Sequence, residues 1–174
     1  MKLILFTDSG DTIIDEGSEV RLVPGGVVQR AECIPGAKEA LRLIRARGHR
    51  IALVADGLDE SFRRMFTQHG ILDCFDAWAV SELVGAEKPD ARMFQTAMDA
   101  LGLAEADKAR VVMVGNNVER DIVGANRFGV RSVLLRWSPR YRMEPRTAEE
   151  TPTYSIDTPA ELPALLERLE SELV

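Results

Sequence analysis

The sequence predicts an α/β fold: a doubly wound, Rossmann-like parallel sheet with helices on both faces. Three observations predict it. Leu3–Phe6, Ile51–Val54, Val111–Val114 and Ser132–Leu135 are short apolar or near-apolar runs, as expected of strands buried on both faces of a parallel sheet. Between them, apolar residues recur at helical spacing, and alternating strands and helices build a parallel sheet. Finally, three of the runs break abruptly into Asp, Asn or Gly, and the carboxyl ends of parallel strands are where ligands bind in such sheets.

The elements follow in order. After the first run, Ile13 to Ile34 reads differently: Glu19–Val23 and Val27–Arg30 flank Pro24-Gly25-Gly26, the pattern of a hairpin with a tight turn. Ala37, Ala40, Leu41 and Ile44 mark a helix that Gly48 closes, since glycine accepts the left-handed conformation of a helix end. The gap from Gly57 to Lys88 holds one helix and a short strand near Ala77–Val80. Phe94, Ala97, Met98 and Leu101 repeat the helical spacing up to Gly102, and Val118, Ile122 and Ala125 mark a third helix running to Phe128. Arg136 to Thr153 reads as a loop before a short strand near Tyr154–Ile156, and Leu162, Leu165, Leu166 and Leu169 mark the last helix. A single domain over residues 1–174 is expected, with a flap at about 16–33.

Composition narrows the class. At 174 residues, 45% hydrophobic and 29% charged, the chain is long enough to bury a real core and ordinary for a soluble protein. A net charge of -6 argues against general nucleic-acid or anionic-membrane binding. No apolar run approaches a membrane span, and Met1-Lys2 leads straight into a strand rather than a signal peptide. Cys33 and Cys74, the only cysteines, lack metal-ligand spacing and read as free thiols of a reducing cytoplasm. Oligomeric state is open, with room for a homo-oligomer.

Four segments carry the chemistry: Thr7-Asp8-Ser9-Gly10-Asp11-Thr12, Ala55-Asp56-Gly57, Glu87-Lys88-Pro89-Asp90 and Gly115-Asn116-Asn117-Val118-Glu119-Arg120-Asp121. A carboxylate, an amide-rich turn, a lysine and a second carboxylate converging on one crevice would suit a phosphate and a divalent metal. Asp8 and Asp121 meet the one or two carboxylates that magnesium commonly uses, and Asn116 can add its amide oxygen. Each segment also has a plainer reading. Asp8 and Asp11 can serve as turn or cap residues, Asp56-Gly57 and Asn116-Asn117 as helix caps, and Lys88 as a solvated lysine. Arg136, Arg140, Arg142 and Arg146 form a basic loop, either solvated or holding an anionic ligand. His49 and His69 are isolated and take no catalytic role.

The order and spacing of these segments resemble the haloacid dehalogenase-like hydrolases. That family's motifs run from Asp-x-Asp-Gly-Thr through Ser/Thr and Lys to Gly-Asp-x4-Asp. The resemblance covers nearly the whole chain. It implies Asp8 as the nucleophile that forms an aspartyl-phosphate. Lys88 would offset charge and bind phosphate together with the Asp56 and Gly57 amides. Mg²⁺ would be held by Asp8, the Gly10 carbonyl, Asn116 and Asp121. The stretch that holds a cap domain in some members has room here only for a flap, so a capless type is implied. Three positions depart from the pattern: Gly10 replaces the aspartate acting as general acid, Ala55 replaces the hydroxyl residue, and Asn116 replaces an aspartate. Asp11, one place later, is the candidate acid. The expected function is a Mg²⁺-dependent phosphatase for a small phosphorylated substrate. The rival is an attenuated member that binds an anionic ligand or a partner through the same crevice.

Overall fold

The strand β1 (Ile4–Thr7) builds both faces of the sheet at once. Side chains alternate along a strand, so Leu3 and Leu5 enter one core while Ile4 and Phe6 enter the other. A computed structural model describes residues 1–173 of the chain; the last residue of the domain expected over 1–174 lies outside the described residues. After β1 come β2 (Val20–Arg21), β3 (Val28–Arg30), α1 (Ala37–Ala46), β4 (Arg50–Ala55) and α2 (Asp59–Gln68). Then follow β5 (Ala77–Val80), α3 (Ser81–Val84), α4 (Ala91–Ala100), β6 (Val111–Gly115) and α5 (Val123–Phe128). The chain ends with β7 (Arg131–Leu135), β8 (Tyr154–Ile156) and α6 (Leu162–Ser171).

Six strands form one sheet in the order β5-β4-β1-β6-β7-β8, and every neighbouring pair is parallel. The chain winds from β1 outward through β4 to β5, then returns to the other side of β1 with β6. That reversal opens a crevice at the strands' carboxyl ends. One core packs Leu41 and Ile44 of α1, Phe66 of α2 and Leu166 of α6 on the sheet. The other packs Phe94 and Met98 of α4 with Phe128 of α5, the two phenyl rings stacked with centroids 5.5 Å apart. The doubly wound architecture is as the apolar runs predict.

The expected hairpin is present, shorter than its sequence pattern: β2 and β3 pair antiparallel, with Gly25 at φ +70° in the turn. Its base is fastened to α2, where Ser61 Oγ accepts the Val28 amide at 2.9 Å and Gln68 bonds both the amide and carbonyl of Ala31. The region between Gly57 and Lys88 contains the short α3 as well as the expected helix and strand. No inserted folded unit interrupts the described residues at either place. Both cysteines are free. No helix among the described residues is long and apolar enough to cross a membrane.

The helix expected over 118–128 is a correction. Val118–Ile122 forms a wide π turn and only Val123–Phe128 is α-helical. The cause is local hydrogen bonding. Asn117 caps the turn, its side-chain oxygen accepting from the Glu119 and Arg120 amides, and Asp121 folds back to accept the Asn117 amide at 3.0 Å. Such turns recur at functional sites.

Candidate active site

Asp8 leaves the carboxyl end of β1, its amide donating to the Val114 carbonyl of neighbouring β6. The Lys88 ammonium lies beside it, donating to Asp8 Oδ1 and to the Val54 carbonyl, each at 2.8 Å. Lys88 Nζ also stands 2.7 Å from Asp121 Oδ1 in an ion pair with both side chains almost fully buried. Burial works against the lysine's charge, but Asp121, Asp8 and Asp56 outweigh it and hold Lys88 firmly protonated. Burial, reinforced by Asp8, pushes Asp121 up to about 6 despite Lys88. The structure thus brings Asp8, Lys88 and Asp121 to one sheet edge from segments far apart in sequence.

Asp121 packs directly on the backbone of Gly115: a Cβ there would stand 2.3 Å from its carboxyl carbon. We expect Gly115→Ala to displace the carboxylate and cost about 1–3 kcal/mol by overpacking. Chemical denaturation of the two proteins measures that difference; equal stability would show that Asp121 yields freely.

The adjacent asparagines divide their work. Asn117 is the cap, whereas Asn116 is buried and faces the nucleophile. As oriented, the Asn116 side-chain oxygen faces Asp8 Oδ2 and the Gly10 carbonyl. Turned over, its nitrogen donates to those two oxygens at 3.3 and 3.2 Å. Three oxygens with no hydrogen between them form a hard-cation environment, and the amide of an asparagine can present either end. These residues therefore fit magnesium. Asp121, expected as a further ligand, has Oδ1 2.7 Å from the Lys88 ammonium and Oδ2 accepting the Asn117 amide. Among the described residues, no cluster of three or more His, Cys, Asp or Glu side chains is placed to hold a metal. The donor set is oxygen-only and poor in charge.

Asp11 faces elsewhere. It is fully buried, with φ +48°; Oδ1 accepts the Glu16 amide at 3.1 Å and Oδ2 accepts from Arg140 Nε at 2.7 Å. Both oxygens are committed, and Asp11 does not line the cavity described below. Of the four loop arginines, Arg136, Arg140 and Arg142 pair with Asp157, Asp11 and Glu150; Arg140 and Arg142 thereby fasten their loop to itself and to the first motif.

A cavity of about 430 Å³ opens over this edge. Its floor is Asp8, Gly10, Asp56, Gly57 and Lys88, the hairpin gives one wall, and Leu58, Phe62 and Met65 give an apolar one. Glu16, Arg120 and Tyr141 also line it. Asp56 Oδ1 accepts the Lys88 amide at 3.0 Å, and burial raises its pKa despite Lys88. The Gly57 amide, expected to hold phosphate, donates instead to Ser81 Oγ at 2.8 Å. Arg120 is placed better: its guanidinium lies 5.3 Å from the Tyr141 ring centroid and 3.6 Å from Asp56 Oδ2. Burial, then Asp11, raises the Glu16 carboxyl above its ordinary value, while the Tyr141 hydroxyl opposes that. Sequence reasoning passed over Glu16, Arg120 and Tyr141. Arg120 lies inside the fourth segment and Tyr141 inside the arginine loop, but spacing gave no sign of their direction.

Residues 5–129 match the family model described as haloacid dehalogenase-like hydrolase. Among curated proteins, the chain is 33% identical over 128 residues to a glyceraldehyde 3-phosphate phosphatase of Methanopyrus kandleri, covering 74% of this chain and 54% of that one. It is 34% identical over 128 residues to a phosphoserine phosphatase of Thermus thermophilus, covering 74% and 49%. The chain thus spans about half the length of these curated relatives. Among solved structures, an uncharacterized protein of Listeria monocytogenes matches with TM-score 0.79 at 27% identity, over 97% of this chain and 99% of that one. A HAD phosphatase of Thermococcus onnurineus shares the fold at TM-score 0.74 and 18% identity, over 95% and 98%.

Proposed function

The chain belongs to the haloacid dehalogenase-like hydrolases, and from that premise we propose that it is a capless, magnesium-dependent phosphatase for small phosphomonoesters. The observation that carries this reading is the meeting of Asp8, the Gly10 carbonyl and the Asn116 amide beside Lys88 on the floor of one cavity. Asp8 is the nucleophile: its side chain is 14% exposed, enough to meet a phosphorus atom, and Lys88 fixes one of its oxygens. Asp8, Gly10 and Asn116 would hold the metal, with Asp121 adding charge from behind Lys88. When bound, magnesium would offset the charge between the nucleophile and the phosphoryl oxygens. Such an offset is needed, because Asp8, Asp56 and Glu16 line the cavity and would repel a phosphate dianion. The free thiols suit the cytoplasm.

Arg120 takes over part of the work of the hydroxyl absent at Ala55 by donating to a phosphoryl oxygen. A hydrogen bond to a charged group is worth about 1.5–3 kcal/mol, so Arg120→Ala should raise KM for an aryl phosphate by roughly 10–100-fold. Steady-state kinetics test this, and an unchanged KM places the phosphate elsewhere.

Turnover of para-nitrophenyl phosphate should stop when the metal is stripped with EDTA and return with millimolar magnesium. Turnover that survives chelation would remove magnesium from the reading. A second reading, a binding protein that uses this crevice without turnover, is favoured by the commitment of the Gly57 amide to Ser81. It predicts no hydrolysis of any ester, with retained binding of a phosphate analogue.

A further inference from the structure

The family pattern places a carboxyl at the position of Gly10, and the structure shows what fills the space that this glycine leaves. A Cβ built on Gly10 would stand 2.1 Å from Glu16 Oε1 and 2.7 Å from Glu16 Cγ and Cδ. The Glu16 carboxyl therefore occupies the volume into which a side chain at position 10 would project. It is aimed there by its neighbours. Asp11 accepts the Glu16 amide at 3.1 Å, and Tyr141 donates its hydroxyl to Glu16 Oε2 at 3.1 Å. Arg140 Nε lies 3.5 Å from the same oxygen. Oε1, the oxygen on the Gly10 side, accepts no hydrogen bond among the described residues. Glu16 and Asp8 line the same cavity.

We propose that Glu16 is the catalytic acid–base residue of this site, its carboxyl standing in for the one absent at Gly10. The proposal rests on the phosphatase reading above. In the first half-reaction an Asp8 oxygen bonds to phosphorus as the bond from phosphorus to the leaving oxygen breaks. Glu16 gives its proton to that oxygen, and the alcohol departs neutral. In the second, a water oxygen bonds to phosphorus while its proton passes to the Glu16 carboxylate. The bond from phosphorus to Asp8 then breaks, which releases phosphate and restores both side chains. Asp11 and Tyr141 are positioning residues: each holds Glu16 through a hydrogen bond.

The test follows leaving-group release by the magnesium-loaded protein under single-turnover conditions. An aryl ester, para-nitrophenyl phosphate, expels its alcohol without a proton, whereas an alkyl ester, glycerol phosphate, needs one. Glu16→Gln should slow release from the alkyl ester by about 10²–10⁴-fold and leave the aryl ester nearly unchanged. In the steady state the same variant should show a nitrophenolate burst, because the water-activated second half is slowed. Moving the carboxyl back, with Gly10→Asp in a Glu16→Ala background, should recover alkyl hydrolysis relative to Glu16→Ala alone. Equal losses on both esters, or none on either, would overturn the role of Glu16. In both cases aryl turnover that depends on Asp8 leaves the phosphatase reading standing. Wild-type protein without aryl turnover would defeat both.

Discussion

Replacing Asp8 by asparagine is expected to reduce phosphatase turnover to background, a loss of more than about 10³-fold, while leaving a folded protein. An amide cannot form the aspartyl-phosphate, and no other carboxylate substitutes. Asp121 has one oxygen on Lys88 and the other on a backbone amide, and Asp56 is held by the Lys88 amide. Lys88 keeps Asp121 and the Val54 carbonyl as partners, so the fold retains its buried ion pair. The check is hydrolysis of para-nitrophenyl phosphate beside a thermal melt. Appreciable turnover by the folded variant would place the nucleophile elsewhere.

The second large effect belongs to Lys88 and is one of stability. Lys88→Met leaves the Asp121 carboxylate, 1% exposed, without its countercharge, and breaking a buried pair from one side costs about 3–5 kcal/mol. The loss depends on pH. Asp121 in the folded wild type is already raised from 3.8 to about 6, so between those values the native state binds more protons than the unfolded one. Stability contributed by this group therefore falls as pH rises through that window. Without Lys88 the carboxyl is pushed higher still, so the variant's deficit should be smaller at pH 5 than at pH 8. Urea unfolding at both values measures it. A deficit independent of pH would mean that Asp121 is not the group left unpaired.

The parallel sheet was legible because a strand buried on both faces must be apolar throughout, as Val111–Val114 is. The helices of the two layers were legible because one apolar stripe suffices to seat each of them. The start of the 118–128 segment was not. Its apolar spacing suits a regular helix, but hydrogen bonds from Asn117 and Asp121 widen the first turn. The convergence of Asp8, Lys88 and Asn116 could be expected from motif order, since Asp8 and Asn116 follow β1 and β6 directly and Lys88 lies in the connection after β5. The direction of each carboxyl could not. Asp11 and Glu16 sit in the same tight segment, and their roles depend on Arg140, 129 residues from Asp11, and on Tyr141. Likewise, Ser81 takes the Gly57 amide across 24 residues, a contact that local sequence does not encode.

The base of the hairpin is fastened to α2 through Ser61 and Gln68, and the arginine loop to the first motif through Arg140, so the cavity's rim is tied down on two sides. Enzymes that close a lid over their substrate can spend binding energy on the closure and select at that step. For the phosphatase proposed above, a rim tied on both sides would leave little binding energy to spend on closure. Discrimination then falls to fit against a fixed aperture, so good and poor substrates should differ chiefly in how well they seat.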